Sequence, residues 1–249
     1  MKRLLLALPF ALAACADSVT APSKSVAPAV QPSFVVSTAV TVKNWTVYNR
    51  SDVFAKLWEN YKATDLSNGG VGFAFNNVST TWYTAYLKAH YNGDLTGTTI
   101  TANVSVTGSG PVFVSRTVGS EDPANATVGL VIKSAEGNWG VNDYWWPTNR
   151  VSLSALGTTG VNITASTSED DRANWINVCG KSATDIIVYS GPDCVGGTYP
   201  AESPYDGFTN ALKNVKEVGL SFGGSGYARG VALTSGSADF QLNSFTITP

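Results

Sequence analysis

Strict alternation of apolar and polar residues is the dominant pattern of the chain, and it is clearest from Thr98 to Thr107. There every second residue from Ile100 onward is apolar and the residues between are polar, which predicts a strand buried on one face. The same pattern recurs in segments 35–47, 83–91, 112–117, 128–133, 151–156, 161–167, 218–222, 231–234 and 240–248. Glycine-rich clusters separate these segments. About ten short strands of this kind predict an all-β fold, an antiparallel β-sandwich or jelly roll.

Helical signals are few and fall between the predicted strands. Residues 52–62 carry apolar side chains at helical spacing but suit a strand equally well, so both alternatives stay open. Ser168 precedes three acidic residues and predicts the N-cap of a short helix, and residues 205–214 predict another. We therefore expect one to three short helices in the connections.

The last predicted strand contains an irregularity in its alternation. Phe240 and Leu242 share one parity, whereas Phe245 and Ile247 share the other. One extra residue must be absorbed if all four side chains are to point inward. A β-bulge at positions 243–244 would do this.

The beginning of the chain has the pattern of a processed leader. Lys2 and Arg3 precede an apolar run over residues 4–12, which closes on Leu-Ala-Ala-Cys at Cys15. The run is too short to span a membrane as a helix. It resembles bacterial lipoprotein signals, and that resemblance implies removal of residues 1–14 and acylation of Cys15. The alternative is a secreted protein with an incidental cysteine.

The resemblance to lipoproteins also implies an address. Ala16, rather than an aspartate, follows the cysteine, which favours the outer membrane in Gram-negative lipoproteins. Residues 15–33 comprise the lipidated cysteine and a linker rich in Pro, Ser and Ala, which is typical of a flexible spacer. Residues 34–249 are then expected to form a single β-sandwich domain in the cell envelope, held at the membrane by lipid alone.

Two further cysteines, Cys179 and Cys194, would lie in an oxidising compartment. A disulfide between them would close a loop of about 15 residues and stabilise the fold by roughly 3 kcal/mol. The alternative is a pair of buried free thiols.

Charge and histidine content exclude several classes of function. The chain has 16 basic and 18 acidic residues, and two of the basic ones, Lys2 and Arg3, lie in the predicted leader. A nucleic-acid-binding protein would be strongly basic, so no nucleic-acid partner is expected. His90 is the only histidine, which argues against Ser-His-Asp catalysis and against zinc. No cofactor is expected, with structural calcium as the one alternative considered.

Carboxylates remain as potential catalytic groups, because a glycoside hydrolase needs two of them at a suitable separation. The candidates, most of which lie in or next to predicted turns, are Asp94, Glu121, Asp122, Glu136, Asp143, Glu169, Asp170, Asp171, Glu202 and Asp206. Solvation or capping explains most of them, and no catalytic residue is assigned. The cluster at 169–171 suits the first turn of a helix, with calcium binding as the alternative.

Aromatic residues give a more specific signal in the strand that begins at Trp82. One face of that strand carries Tyr83, Ala85, Leu87 and Ala89 and resembles core, while the other carries Trp82, Tyr86, Lys88 and His90. Rings beside hydrogen-bonding groups can form the floor of a sugar-binding groove. The alternative is that loops cover this face.

The stretch Asn-Asp-Tyr-Trp-Trp-Pro-Thr-Asn-Arg at 142–150 is the second aromatic candidate. Pro147 lacks a backbone donor, which predicts loop or sheet edge rather than interior strand for residues 145–147. In extended geometry Trp145 opposes its two neighbours. We expect Trp145 in the core and the following residues at the rim of a binding site: Asn142, Asp143, Tyr144, Trp146 and Arg150. A wholly structural corner is the alternative.

Several stretches resemble known proteins. Residues 238–248 resemble the final strand of jelly-roll carbohydrate-binding modules of the galactose-binding-like type, and residues 83–97, 142–147 and 215–224 resemble secreted bacterial sandwich proteins. This resemblance implies a sandwich and sugar binding, but it supplies no catalytic residues. Asn243 stands where such modules often have an aspartate, which weakens a calcium site at Asp239 and Asn243.

Three functional classes follow from these patterns. The favoured one is a lipid-anchored module that binds a polysaccharide or other glycan without catalysis, through aromatic stacking. The first alternative is a polysaccharide hydrolase or lyase on the same sandwich. The second is an adhesion or structural module of the envelope in which Trp145 and Trp146 form a protein-binding hot spot.

Overall fold

The computed structural model describes residues 45–51, 58–117, 120–134, 140–194, 196–224 and 230–249. The strands are β1 (Trp45–Ser51), β2 (Trp58–Lys62), β3 (Thr64–Asp65), β4 (Val71–Ala74), β5 (Trp82–Gly93), β6 (Thr99–Thr117), β7 (Ser120–Asp122), β8 (Thr127–Lys133), β9 (Tyr144–Pro147), β10 (Val151–Ser152), β11 (Val161–Ser166), β12 (Trp175–Asn177), β13 (Val215–Phe222) and β14 (Val231–Thr248). One α-helix, α1 (Pro204–Leu212), and four 3-10 turns (Val78–Thr80, Pro123–Asn125, Leu153–Ala155 and Glu169–Asn174) lie between strands.

The strands form two halves of one hydrogen-bonded network. The first half has the order β2-β1-β5-β13-β8-β9-β12, with β10 on β8, and the second has the order β11-β6-β14-β4-β3, with β7 on β6. The two halves are joined at one register pair, Val231 with Thr84. Pairing between these strands is antiparallel throughout. The predicted all-β sandwich is confirmed.

The main core lies between the halves and is rich in phenylalanine. The ring of Phe222 on β13 lies 5.0 Å from that of Phe240 on β14 and 5.5 Å from that of Phe73 on β4. These three residues are at most 5% exposed. Buried rings of this size contribute much of the apolar area that stabilises a sandwich.

The bulge predicted in the last strand is confirmed. Leu242 pairs with Val104 and Ser244 pairs with Asn103, so Asn243 is the extra residue. As a result, Phe240, Leu242, Phe245 and Ile247 are all buried. Asn243 donates from its side-chain amide to Asn103 Oδ1 at 3.0 Å and to Ser105 Oγ at 3.1 Å.

The strand boundaries differ from prediction in several places. Of the strand predicted at 35–47, residues 35–44 lie outside the described residues, and β1 extends to Ser51. Segments 98–107 and 112–117 form the single strand β6, and segments 231–234 and 240–248 form β14. Gly108, Gly110 and Gly236, all with positive φ, let these two strands change direction without ending. The segment predicted at 151–156 is a two-residue strand followed by a 3-10 turn.

The helical predictions have mixed outcomes. The helix at 205–214 is confirmed as α1, whose first turn is capped by the Ser203 hydroxyl accepting from the Asp206 amide. Ser168 precedes a 3-10 turn rather than an α-helix. Residues 58–62 are strand, and residues 52–57 lie outside the described residues. The described residues include no helix long and apolar enough to cross a membrane.

The disulfide between Cys179 and Cys194 is present, with the two Cα atoms 5.5 Å apart. Predictions for the leader, Cys15 and the linker concern residues 1–33, which lie outside the described residues, as does Glu136.

Candidate functional site

The first half of the sheet has a second, smaller cluster on the side away from the core. Alternation along β13 sends Val218, Leu220 and Phe222 into the core. Glu217 and the two small residues Gly219 and Ser221 therefore occupy the opposite side. We call this side the aromatic face, and it is built from Tyr48, Trp58, Tyr86, Lys88, Lys133, Tyr144, Trp146, Arg150 and Glu217.

A row of four rings crosses the aromatic face. The Trp58 and Tyr86 rings are stacked with centroids 6.0 Å apart, and the Tyr86 and Tyr144 centroids are also 6.0 Å apart. The Tyr144 and Trp146 rings are stacked at 5.8 Å. These rings come from strands β2, β5 and β9; one strand lies between β2 and β5, and two lie between β5 and β9.

Two small residues lie beside Tyr86 on the neighbouring strands and leave room for Arg150. In the sheet register Tyr86 lies opposite Ser221, and Ser221 lies opposite Gly129 on β8. The Arg150 side chain occupies the space above both residues, and a Cβ added to Gly129 would lie 2.8 Å from Arg150 Nη1. A large residue at Gly129 would therefore displace Arg150.

An ion-pair group lies beside the rings. Lys88 Nζ lies 2.7 Å from Glu217 Oε2, and Lys133 Nζ lies 3.5 Å from the same oxygen. The three side chains are between 5% and 10% exposed. The Lys88 ammonium also lies over the Tyr48 ring at 4.3 Å and over the Tyr144 ring at 5.5 Å, within cation–π range.

The protonation states of this group follow from burial and mutual attraction. Burial alone raises the pKa of the Glu217 carboxyl, but the attraction and hydrogen bonds of Lys88 and Lys133 outweigh it, so the pKa is lowered. Burial lowers the pKa of the Lys88 ammonium, and Glu217 opposes that effect. Burial raises the pKa of the Tyr144 hydroxyl. At neutral pH Glu217 is therefore an ionised acceptor and not a proton donor.

Arg150 covers the small residues at the centre of the face. Its Nη1 and Nη2 donate to the Ser221 hydroxyl at 3.0 Å and to the Ser221 carbonyl at 2.8 Å, and its Nε donates to Thr127 Oγ1 at 2.8 Å. Burial lowers the pKa of the Arg150 guanidinium to about 10, with Tyr86 opposing the shift. The group remains a cation at neutral pH and adds to the positive charge of the face.

Four of the eight predicted binding residues come together here: Tyr86, Tyr144, Trp146 and Arg150. Alternation correctly placed Tyr144 and Trp146 on one side and Trp145, which is fully buried, in the core. The expectation that Tyr144 and Trp146 lie at an exposed rim is wrong, because they are 2% and 0% exposed. Trp145 and Trp146 therefore offer no surface for a protein-binding hot spot.

The other four predicted residues lie apart from the row of rings. Trp82, half-buried, pairs with Ser51 at the start of β5, and His90 is exposed opposite Glu217. Trp82 and His90 lie apart from the rings because they are near the two ends of β5.

Asn142 and Asp143 lie immediately before β9 and form hydrogen bonds within the chain. Asn142 is buried, accepts from Asn177 Nδ2 at 3.0 Å and donates to Glu202 Oε1 at 3.1 Å. Asp143 accepts from the Gly140 amide at 2.6 Å. Their amide and carboxyl groups are engaged within the chain.

The expectation that Pro147 places residues 145–147 in a loop or at an edge is wrong for Trp145, which pairs on both sides, but holds for Trp146 and Pro147, which pair only with β12. β9 lies between β8 and β12 in the sheet. Its ladder with β8 involves only Tyr144 and Trp145, whereas Pro147 pairs with Trp175 on β12. Because Pro147 ends the strand beyond the reach of β8, its missing donor breaks no ladder on that side.

The predicted division of β5 into two faces holds only in part. A register shift where β1 passes from Tyr48 to Asn49 leaves Ala85 unpaired. Ala85 consequently joins Tyr86 in the smaller cluster, while Leu87 and Ala89 remain in the main core. Because alanine is small and suits either side of a sheet, the alternation of β5 does not reveal this bulge.

Sequence reasoning missed Lys133, Glu217, Tyr48 and Trp58 as members of the site. Lys133 and Glu217 are charged residues within otherwise apolar strands, which is a usable signal, since burying a charge requires a partner. Their register opposition on β8 and β13 joins segments remote in sequence. No pattern within either strand identifies that pairing.

Two of the carboxylates predicted as alternatives for calcium binding, Glu169 and Asp171, have partners within the chain. Glu169 accepts from Arg172 Nε at 2.8 Å and from the Tyr205 hydroxyl at 2.9 Å, and Asp171 accepts from Ser168 Oγ at 2.9 Å. Over the part of the chain that the structure describes, no group of three or more His, Cys, Asp or Glu side chains is arranged to hold a metal ion.

Comparison with known proteins gives two solved structures of similar architecture. One is a xylan-binding module, CBM15, with 13% identity, a TM-score of 0.34, and coverage of 84% of this chain and 95% of that one. The other is an exo-beta-agarase, with 11% identity, a TM-score of 0.37, and coverage of 86% of this chain but 23% of the agarase. At these values neither likeness carries an argument about ligands. No protein-family description and no curated protein matches the chain.

Proposed function

We propose that the protein is a non-catalytic glycan-binding module whose binding surface is the aromatic face. The observation that carries this proposal is the row of rings from Trp58 to Trp146, crossing the sheet next to the Lys88–Glu217–Lys133 group. Sugars bind where the apolar face of a pyranose can lie on an aromatic ring while nearby polar groups bond its hydroxyls. The aromatic face provides both.

The accessible part of this surface is at the end formed by β1 and β2. Tyr48 and Trp58 are half-buried, whereas Tyr86, Tyr144 and Trp146 are almost fully buried. We therefore assign first contact with a glycan to Tyr48 and Trp58, and assign the buried rings to holding them in place. A rigid aromatic support lowers the entropy lost on binding.

The charge state of the acid on this face favours binding over hydrolysis. A glycoside hydrolase needs a carboxylic acid with a raised pKa to protonate the leaving oxygen. The pKa of Glu217 is lowered, and its Oε2 faces two ammonium groups. Such a carboxylate is suited to orienting lysines and not to delivering a proton.

We also propose that the mature chain is anchored to the outer membrane through lipid on Cys15. The support is the Leu-Ala-Ala-Cys sequence after a short apolar run, together with Ala16. Growth in radiolabelled palmitate should label the parent chain and leave Cys15→Ser unlabelled. Equal labelling of the two chains would refute acylation at this residue.

Binding is tested by retention of the detergent-solubilised chain in gels containing individual polysaccharides. We expect Trp58→Ala to lose retention and Trp82→Ala, which removes a half-buried tryptophan outside the row, to keep it. Reducing ends released during incubation should stay at background. A parent chain retained by no polysaccharide would refute glycan binding, and steady release of reducing ends would refute the non-catalytic assignment.

A further inference from the structure

Three adjacent aliphatic side chains project from the loop that the disulfide closes. Ile186, Ile187 and Val188 are 76%, 59% and 57% exposed, and they are the most exposed large hydrophobic side chains among the described residues. The remaining exposed side chains of this kind lie singly on β2, β6 and β11. Single exposed apolar residues are ordinary, whereas a contiguous exposed group marks a surface that contacts another apolar partner. We call residues 186–188 the aliphatic tip.

The residues on either side of the aliphatic tip are fixed by contacts within the chain. The carbonyl of Asp185 accepts from the Tyr205 amide at the start of α1, at 2.9 Å. The Asp185 carboxylate accepts from the Ile187 amide at 3.0 Å and from the Tyr189 hydroxyl. The Tyr189 ring lies 5.2 Å from the Tyr199 ring, which packs against the smaller cluster of the aromatic face. The exposed tip therefore stands on a fixed base.

Polar groups suited to a membrane surface lie directly behind the tip. Between residues 184 and 192 the only charged residue is Asp185, so the tip itself carries no charge. Tyr189 is half-buried, and Lys181 Nζ lies 4.2 Å from the centroid of its ring. Tyrosine and lysine are common at the boundary between hydrocarbon and water, because each combines an apolar body with a polar end. The order from tip to base therefore matches the order from hydrocarbon to headgroups.

The size of the aliphatic tip favours a lipid surface over a protein partner. A stable protein interface takes about 800 Å² from each partner, supplied by roughly 20–30 residues. Three side chains supply only a small part of that area. A bilayer needs no complementary shape, and a tether raises the local concentration so that a small contact suffices. The linker predicted at residues 16–33 would span roughly 25 Å as a flexible coil, which keeps the domain near the bilayer.

We infer that the aliphatic tip inserts into the lipid surface to which the chain is anchored, with Tyr189 and Lys181 at the level of the headgroups. This inference rests on the lipid anchor proposed above and goes beyond glycan binding. Tyr199 connects the loop to the smaller cluster, so insertion would also set the orientation of the aromatic face relative to the membrane. A domain held by its tether alone would have no fixed orientation.

The test measures the depth of a nitroxide label attached to the tip. Under the proposed anchor Cys15 is acylated, and the other two cysteines are bonded to each other, so Ile187→Cys introduces a single free thiol. The labelled full chain is reconstituted into vesicles of phosphatidylethanolamine and phosphatidylglycerol. Electron paramagnetic resonance then compares collisions of the label with oxygen, which concentrates in hydrocarbon, and with a water-soluble nickel chelate. We expect a severalfold higher oxygen-to-nickel ratio than for Val112→Cys, a matched control on β6 that is 48% exposed.

A charge in the tip provides a second variant. Adding Ile186→Asp to Ile187→Cys should lower the ratio to that of the control, because a carboxylate is costly to place in hydrocarbon. The Ile186 side chain is largely exposed, so the substitution should leave the unfolding transition unchanged. An unchanged ratio in the Ile186→Asp chain would overturn insertion of the tip.

The other outcomes separate this inference from the proposals above. Equal ratios for labels at positions 187 and 112 overturn insertion, while palmitate labelling and the retention gels report on the anchor and on glycan binding independently. Dipolar broadening that grows with protein density would assign the tip to a second copy of the chain and would also overturn the inference. If palmitate labelling fails, Cys15→Ser is added to both labelled variants and vesicles are supplied in excess. A ratio equal to the control then overturns insertion together with the anchor, whereas a higher ratio supports insertion and overturns the anchor alone.

Discussion

Replacing Glu217 with glutamine tests whether the ion-pair group is as buried as its geometry indicates. The substitution keeps the shape of the side chain but leaves Lys88 and Lys133, which are 5% and 9% exposed, without their shared negative charge. Removing one partner from a buried pair costs about 3–5 kcal/mol. At roughly 2–4 °C of melting temperature per kcal/mol for a domain of this size, the expected fall is about 6–20 °C.

The assay is urea unfolding followed by tryptophan fluorescence, with thermal melting alongside it. Glu59→Gln is the control, because Glu59 is an exposed acid on β2 and its loss should cost little. Adding Lys88→Met to Glu217→Gln should recover part of the loss, since it removes one uncompensated ammonium. If Glu217→Gln lowers the free energy of unfolding by less than about 1 kcal/mol, water solvates these lysines, and the premise of a buried ion-pair group is wrong.

Three further predictions concern stability. The pKa of Glu217 is lower in the folded than in the unfolded chain. Its contribution to the free energy of unfolding is therefore complete above about pH 4.3 and is lost as the pH falls through the folded-state pKa. In acid denaturation curves, Glu217→Gln should reduce this loss of stability with falling pH. A Cβ on Gly219 would meet a backbone carbonyl of β5, whereas one on Gly157 would meet nothing within 4 Å, so Gly219→Ala should lower the melting temperature and Gly157→Ala should not. Cys179→Ser should cost about 3 kcal/mol, measured against the parent with and without reductant; equal stability of the oxidised parent and the variant would contradict this.

Alternation alone predicted much of the fold because the sandwich buries one side of most strands. It placed Trp145 inward and located the bulge at Asn243, since both depend on side-chain parity within one strand. It could not show that Tyr144 and Trp146 are covered, because burial depends on what packs above them. The ring row and the Lys133–Glu217 contact likewise depend on strand order, which brings together residues remote in sequence.

The long ladder between β6 and β14 has a consequence for how the protein folds. Its partners are separated by more than a hundred residues along the chain, as in the side-chain bond between Ser105 and Gln241, which are 136 positions apart. Closing so large a loop costs conformational entropy before any contact between the two strands offsets that cost, so folding is slow. A chain still lacking residues 231–248 leaves the inner edge of β6 without its neighbour. An exposed strand edge of that length can pair with other chains. The incomplete chain is therefore prone to aggregation until residues 231–248 have paired with β6.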